Sequence, residues 1–233
     1  MVIGNGLIAN VFKNKYENDN EFLIFASGVS NSSCIDSNHF SREIELIEQN
    51  LKKNDNKHFV YFSTCSFYDP SIKESQYLNH KKKAESLISK LSNSFSIFRV
   101  PNLVGKTSNP HTILNYLHNC IINNIPFHVW KNSSRNFLDV DDLLNLSNSI
   151  LQIDEMKNQI INIASPMNYP IIQVVENLEH FCNKKAIYTT LEKGACFDID
   201  IRAIKPLLDI CLDMNHPSYL YKLICKYYPN ILI

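Results

Sequence analysis

His58-Phe59-Val60-Tyr61-Phe62-Ser63-Thr64-Cys65-Ser66-Phe67-Tyr68 and, nine residues on, Tyr77-Leu78-Asn79-His80-Lys81 decide the fold. The first run is β-branched and aromatic and lacks Gly and Pro, as expected of a strand buried in a parallel sheet. It closes on a cluster of hydroxyls. Asp69-Pro70 then signals a turn. From Tyr77 the period changes. Tyr77, Lys81, Ala84, Glu85, Leu87, Ile88 and Leu91 recur three or four apart, which predicts a helix.

Tyr77 and Lys81 therefore stand one turn apart on one helix face. A free tyrosine, with a pKa of about 10, is a poor acid or base at neutral pH. A nearby ammonium stabilises the phenolate and lowers that pKa. A hydroxyl from Thr64 or Ser63 can bond the same substrate oxygen, so Thr64, Tyr77 and Lys81 together make a candidate proton-transfer site for a carbonyl/alcohol pair. The plain alternative is a Tyr and a Lys on an ordinary solvated helix face. The neighbouring segments weigh against it.

The chain opens on Met1-Val2-Ile3-Gly4-Asn5-Gly6-Leu7-Ile8-Ala9, a short apolar start that runs into Gly-x-Gly-x-x-Ala. In such a strand-to-helix loop the first glycine permits a tight turn and the second lets the backbone approach a pyrophosphate. The alanine allows close helix packing. The anion would lie among the unpaired N–H groups of the helix start. A glycine turn with no ligand is the alternative.

Further on, a helix over 7–16 precedes a strand over Phe22–Phe25, and an amphipathic helix spans 40–53. That helix turns Ile44, Ile47 and Leu51 inward and Glu43, Glu45, Glu48 and Lys52 to solvent. Strands follow at Phe95–Val100 and Ile160–Ala164, and an extended stretch at 125–130. Helices are expected over 112–123, up to Ile150 with Asp141 or Asp142 near its cap, and over 170–182. Strands alternating with helices give an α/β fold with a parallel sheet.

The composition narrows the function classes. A formal net charge of zero argues against bulk attraction to nucleic acid or membrane. No apolar run reaches the roughly 18 residues of a membrane span, and no signal-type segment opens the chain. The seven scattered cysteines show no CxxC spacing and read as reduced thiols in a cytoplasm, without a disulfide frame or a metal site.

With these residues in hand, the chain resembles the extended short-chain dehydrogenase/reductase superfamily, also called the NAD-dependent epimerase/dehydratase family. Gly4-Asn-Gly6-Leu7-Ile8-Ala9 looks like its cofactor loop. Phe25-Ala26-Ser27-Gly28 looks like its small-residue turn beside the nicotinamide ribose. Val60 to Tyr68 is similar to its strand with a catalytic Ser or Thr four residues before a Tyr, which puts that role on Thr64. Tyr77-x-x-x-Lys81 looks like its catalytic pair. Arg99-Val100-Pro-Asn102-Leu-Val-Gly105 resembles the segment that crosses the nicotinamide end. Arg135-Asn-Phe-Leu-Asp-Val-Asp141-Asp142 is similar to the stretch near the sugar-nucleotide pocket. Four of the five glycines fall at these points.

The resemblance implies a Rossmann-like parallel sheet with helices on both faces. It implies an NAD(P)-binding core over 1–165 and a small C-terminal substrate-binding region over 166–233. The implied cofactor, NAD or NADP, would touch Gly4, Gly6, Leu7, Ile8, Ala26, Ser27, Gly28, Ser63, Tyr77, Lys81 and Val100. A nucleotide-sugar substrate would touch Cys65, Ser66, Asn102 and Arg135, the last as a planar donor to its diphosphate. The implied activity is keto-sugar reduction, or epimerisation through a transient ketone, in surface-polysaccharide synthesis. The implied assembly is a homodimer through the helices at 40–53 and 77–91, with Leu46 and Leu78 as apolar contacts.

The departures from the family pattern carry equal weight. Only residues 17–21 fill the gap that in the family holds two more strands and a helix. The acidic residue that would hold the adenosine ribose has no counterpart. The sheet should therefore be shortened at the adenosine-side edge, with weak cofactor binding and little choice between NAD and NADP. Cys65 and Ser66 stand where the dehydratase subgroup carries Asp and Glu, which argues against a 4,6-dehydratase. A catalytically degenerate nucleotide- or partner-binding module is the alternative function, favoured by the lost strands and opposed by the intact Thr64, Tyr77 and Lys81. A third reading, Cys65 as a nucleophile, lacks an evident activating His.

Overall fold

The computed structural model describes residues 1–72, 74–211 and 213–228. Lys73, Leu212 and the end of the expected C-terminal region, 229–233, lie outside the described residues. The first half runs β1 (Val2–Ile3), α1 (Leu7–Tyr16), β2 (Phe22–Phe25), α2 (Ser37–Lys53), β3 (His58–Thr64), α3 (Gln76–Leu91) and β4 (Phe95–Val100). The second runs β5 (Asn102–Val104), α4 (Ile113–Ile122), β6 (Phe127–Trp130), β7 (Ser134–Asp139), α5 (Val140–Ile150), β8 (Gln159–Asn162), β9 (Asn168–Pro170), α6 (Ile171–Cys182), β10 (Tyr188–Leu191) and α7 (Tyr219–Tyr227).

Five of these strands form one parallel sheet in the order β1-β2-β3-β4-β8. Side chains alternate across it with period two. Leu23, Phe25, Phe59, Tyr61 and Ile97 pack under α2 and α3. Ile24, Val60, Phe62 and Phe98 join the larger core on the opposite face, with Phe12 of α1 and Leu143 and Leu146 of α5. β3 lies in the middle, buried along its whole length. β1 pairs with β2 alone and is the edge strand. The sheet thus has the Rossmann-like form and the shortened edge that the 17–21 gap implies.

The segment 102–139 pairs with the C-terminal elements. β5 runs parallel to β7, β7 antiparallel to β9, and β6 parallel to β10. α6 packs on α4 and α7. The layer beyond the main sheet is therefore drawn from both sides of residue 165.

Local capping explains two shifts from the sequence reading. α2 begins at Ser37, three residues before position 40, because the Asp36 carboxylate accepts from the Asn38 N–H. α5 is capped by Asp139, whose carboxylate accepts from the Asp141 N–H, and not by Asp141 or Asp142. The apolar contacts expected at a dimer interface also differ. Leu78 is 2% exposed, and Leu46 packs partly buried on the α2/α3 core. The outward face of α3 carries Asn79, Lys82, Lys83 and Ser86, all exposed and polar.

Gly4 secures the β1 edge. Its φ is +128°, and an added Cβ would lie 2.3 Å from the Ala26 carbonyl oxygen at the end of β2. The turn between β1 and α1 passes so close to β2 that only glycine fits. Gly4→Ala should destabilise the protein by more than about 1 kcal/mol, beyond the usual gain from a stiffer unfolded chain. Chemical denaturation of the two proteins checks this, and equal midpoints would contradict it.

Candidate active site

Thr64, the last residue of β3, also starts the short 3-10 turn Cys65–Tyr68. Its Oγ1 accepts from the Ser66 N–H at 3.0 Å, which leaves its own O–H free to donate. Ser75 caps α3 by accepting from the Leu78 N–H. That start sets Tyr77 in the first turn and Lys81 one turn on, both facing inward at 5% and 2% exposure. Burial pushes the Tyr77 phenol up to about 12, and the neighbouring Thr64 hydroxyl works against that rise. The site thus brings Thr64 and Tyr77 together and holds a protonated phenol beside a hydroxyl donor.

Lys81 differs from the sequence reading. Its Nζ donates to Glu43 Oε1 at 3.0 Å and to the Tyr61 hydroxyl at 2.9 Å. The ammonium lies 5.9 Å from the centre of the Tyr77 ring. Its charge is matched by Glu43, so it does not draw the Tyr77 pKa below the ordinary tyrosine value. Glu43 itself is the larger surprise. Assigned by pattern to the solvent face of α2, it is completely buried. Oε1 also accepts from the Tyr61 hydroxyl at 2.6 Å. Oε2 accepts from the Val29 N–H at 2.6 Å and from His80 Nε2 at 2.8 Å. A carboxylate only accepts, so this nitrogen of His80 carries the proton. The spacing did hold a signal: Glu43, Ile47 and Leu51 are the buried residues of α2, four apart along one stripe.

Burial alone would raise the Glu43 pKa. The Lys81 charge and the bonds from His80, Tyr61 and the Val29 N–H outweigh it and hold the group at about 2, against an ordinary 4.5. A carboxylate with a depressed folded pKa stabilises the fold above its unfolded pKa, and that contribution fades as pH falls through the folded value. Removing one partner of a buried ion pair costs about 3–5 kcal/mol. Glu43→Gln should therefore lower stability by that order at neutral pH. The gap to the native protein should narrow between pH 4.5 and about 2. Thermal unfolding of both proteins across this range checks the prediction, and a gap unchanged at pH 2 would contradict it.

The glycine loop meets the requirements of an anion cradle. Gly6 is the N-cap of α1, no side chain caps the helix, and its first turn holds no acid. A Cβ built on Gly6 would meet nothing within 4 Å. Leu7 and Ile8 follow, partly buried, at the start of α1, and Ala26, Ser27 and Gly28 stand half-buried just beyond β2. Ser63 Oγ is buried without a hydrogen-bond partner among the described residues, and Val100 pairs with Thr64 across β3 and β4. The sequence reading found no cation here, but Arg42 of α2 donates to the Ser27 carbonyl at 2.8 Å and to its Oγ at 3.2 Å. These features fit a dinucleotide, with the pyrophosphate at Gly4, Gly6 and the first turn of α1.

The expected substrate contacts separate. Cys65 is 2% exposed and its thiol donates to the Arg99 carbonyl. Burial pushes that thiol far up, against a nucleophile's role, and at 2% exposure it is not presented to a substrate. Arg99 packs away from the site, bidentate on Glu85 and 4.6 Å above the Phe67 ring. Ser66 is half-buried, and Asn102 donates to the Asn136 carbonyl. Arg135 donates to the Ser134 carbonyl and lies 3.9 Å from the Asp69 carboxylate, still partly exposed.

Comparison with known proteins adds the family. No curated protein matches the sequence. Among solved structures, UDP-glucuronic acid 4-epimerase from Bacillus cereus superimposes with a TM-score of 0.70 at 17% identity, covering 96% of this chain and 80% of its own. UDP-N-acetylglucosamine 4-epimerase from Methanobrevibacter ruminantium M1 gives 0.68 at 16% identity, over 94% of this chain and 77% of its own. dTDP-glucose 4,6-dehydratase from Bacillus anthracis gives 0.63 at 17% identity, over 87% and 70%. At such identities the likeness establishes the fold. The family model of the NAD dependent epimerase/dehydratase family matches residues 26–164, from the end of β2 to just beyond β8. That match covers more than half of the sequence, and the chain belongs to the NAD dependent epimerase/dehydratase family.

Proposed function

We propose that this chain is an NAD-dependent oxidoreductase or epimerase acting on a nucleotide-activated sugar, by keto-sugar reduction or by epimerisation through a keto intermediate. Surface-polysaccharide assembly in a cytoplasm is its proposed setting. The observation that carries the reading is the buried Tyr77 phenol beside the Thr64 hydroxyl at the C-terminal end of β3, the same end of the parallel sheet as the open glycine loop. The substrate class follows from family membership and from the nucleotide-sugar enzymes that share the fold.

The dinucleotide, when bound, supplies and takes back the hydride. The chain's residues do the rest. Gly4, Gly6 and the first turn of α1 receive the pyrophosphate, and Lys81 holds the nicotinamide ribose. Thr64 donates to the reacting oxygen and fixes its position. Tyr77, protonated at neutral pH, gives its proton to that oxygen as the ketone becomes an alcohol and takes it back in the reverse direction. Arg135 is the proposed donor to the substrate diphosphate, with Ser66 and Asn102 beside it. A homodimer through α2 and α3 would leave out Leu78, which is buried, and Leu91 is the large apolar side chain that α3 exposes.

A second reading has one observation in its favour. The sheet stops at β1, so a strand beyond it is missing from the adenosine side. A binding module that keeps the fold without turnover would tolerate that loss. Tyr77→Phe separates the two readings. It should fold normally and lose about 10²-fold or more of turnover with NADH and keto-sugar nucleotides. Unchanged turnover in a folded Tyr77→Phe protein would overturn the enzyme reading.

A further inference from the structure

We propose that Glu43 is a positioning residue for Lys81: it fixes the ammonium beneath Gly28, with one N–H left for a ligand at the C-terminal end of the sheet. This inference rests on the proposed role of Lys81 in holding the dinucleotide. An ammonium has three N–H donors. Two go to Glu43 Oε1 and the Tyr61 hydroxyl, and no third acceptor is within hydrogen-bond reach among the described residues. The four-carbon stem of a lysine has many rotamers, and a carboxylate fixed by three further donors selects one of them. Those donors come from the loop after β2 (Val29), from β3 (Tyr61) and from α3 (His80). Gly28 completes the arrangement. A Cβ there would lie 2.9 Å from both Lys81 Nζ and Glu43 Oε1, so the ammonium sits directly under a bare stretch of backbone. Glu43 makes no hydrogen bond to Thr64 or Tyr77 and so reaches the reacting groups through Lys81. A buried ion pair is a poor source of stability compared with apolar packing, so the need for it lies in where it holds the charge.

The charged and titratable groups around Lys81 come from three elements: Glu43 on α2, Tyr61 on β3, and Tyr77 and Glu85 on α3. His80 acts on it through Glu43. Burial already lowers the Lys81 pKa against the pull of Glu43, and without Glu43 the ammonium gives up its proton at a lower pH still.

NADH titrations of the native protein, Glu43→Gln, Lys81→Met and the double variant, across pH, test the proposal. Glu43→Gln should weaken NADH binding about ten- to a hundredfold, the scale of one lost charge-assisted hydrogen bond. The alkaline limb of binding should move to lower pH. In the Lys81→Met background the same substitution should change neither quantity, because Glu43 acts through Lys81. Native affinity and pH profile in folded Glu43→Gln would overturn the proposal, as would effects of the two substitutions that simply multiply. If Glu43→Gln fails to fold, Glu43→Asp keeps the charge but draws it back. It should weaken NADH binding in the same direction, and native affinity would overturn the proposal. If Lys81→Met itself binds NADH normally, the role assigned to Lys81 fails first. If Lys81→Met is impaired and the Glu43 variants are not, this inference alone fails.

Discussion

A fully buried carboxylate must be surrounded by donors or it will not stay ionised. Glu43 meets that constraint with four donors from three parts of the chain, and much of the molecule is arranged so that it can. The pair ties α2 to α3, and both to the middle strand of the sheet. It fixes the loop after β2 through the Val29 N–H. It requires Gly28, because any side chain there would displace the pair. Phe40 stacks on His80 at 4.6 Å and closes the outer side. The polar layer between sheet and helices is thus continuous with the site at the ends of β2 and β3.

The site that results divides into two. The nicotinamide side is densely built, with Thr64 oriented by the Ser66 N–H, Tyr77 buried beside it and Lys81 anchored. The adenosine side is spare. β1 is the edge of the sheet, and the glycine turn of the first helix lies open with nothing near Gly6. Lys13, which donates to Asn5 of the glycine loop, is a cation at that end, while Arg42 is held by Ser27 at the end of β2. The phenol of Tyr77, kept protonated by burial, suits donation of a proton more than its removal.

The main sheet was legible because its signals are local. The bounds of α1 and β2 are those the pattern gives, since a short apolar run between turn residues leaves few alternatives. The glycine loop and the Tyr77/Lys81 spacing were legible for the same reason. Glu43 was misread because a charged residue on an amphipathic helix is ordinarily solvated. Its burial depends on Lys81, Tyr61 and His80, none of which is near it in sequence. The same partnership removed the expected influence of Lys81 on Tyr77, since a charge already matched by a carboxylate does little to a phenol. Cys65 was read as a substrate contact from its place after Thr64, but the 3-10 turn rotates its thiol onto Arg99. The α5 cap fell on Asp139, two residues earlier than the polar pattern suggested, because its carboxylate accepts from the Asp141 N–H and the helix starts at Val140.

The central claim is that the start of α1 is an anion cradle serving a dinucleotide, and Gly6→Asp tests it most directly. Gly6 has φ −83° with open space around it, and Asp is among the favoured residues at a helix N-cap. The fold should therefore keep or gain stability, while the new carboxylate fills the place of the pyrophosphate. NADH titration by calorimetry should give affinity at least about tenfold below the native protein's, the scale of one lost charged interaction. Native affinity in a folded Gly6→Asp protein would contradict the account.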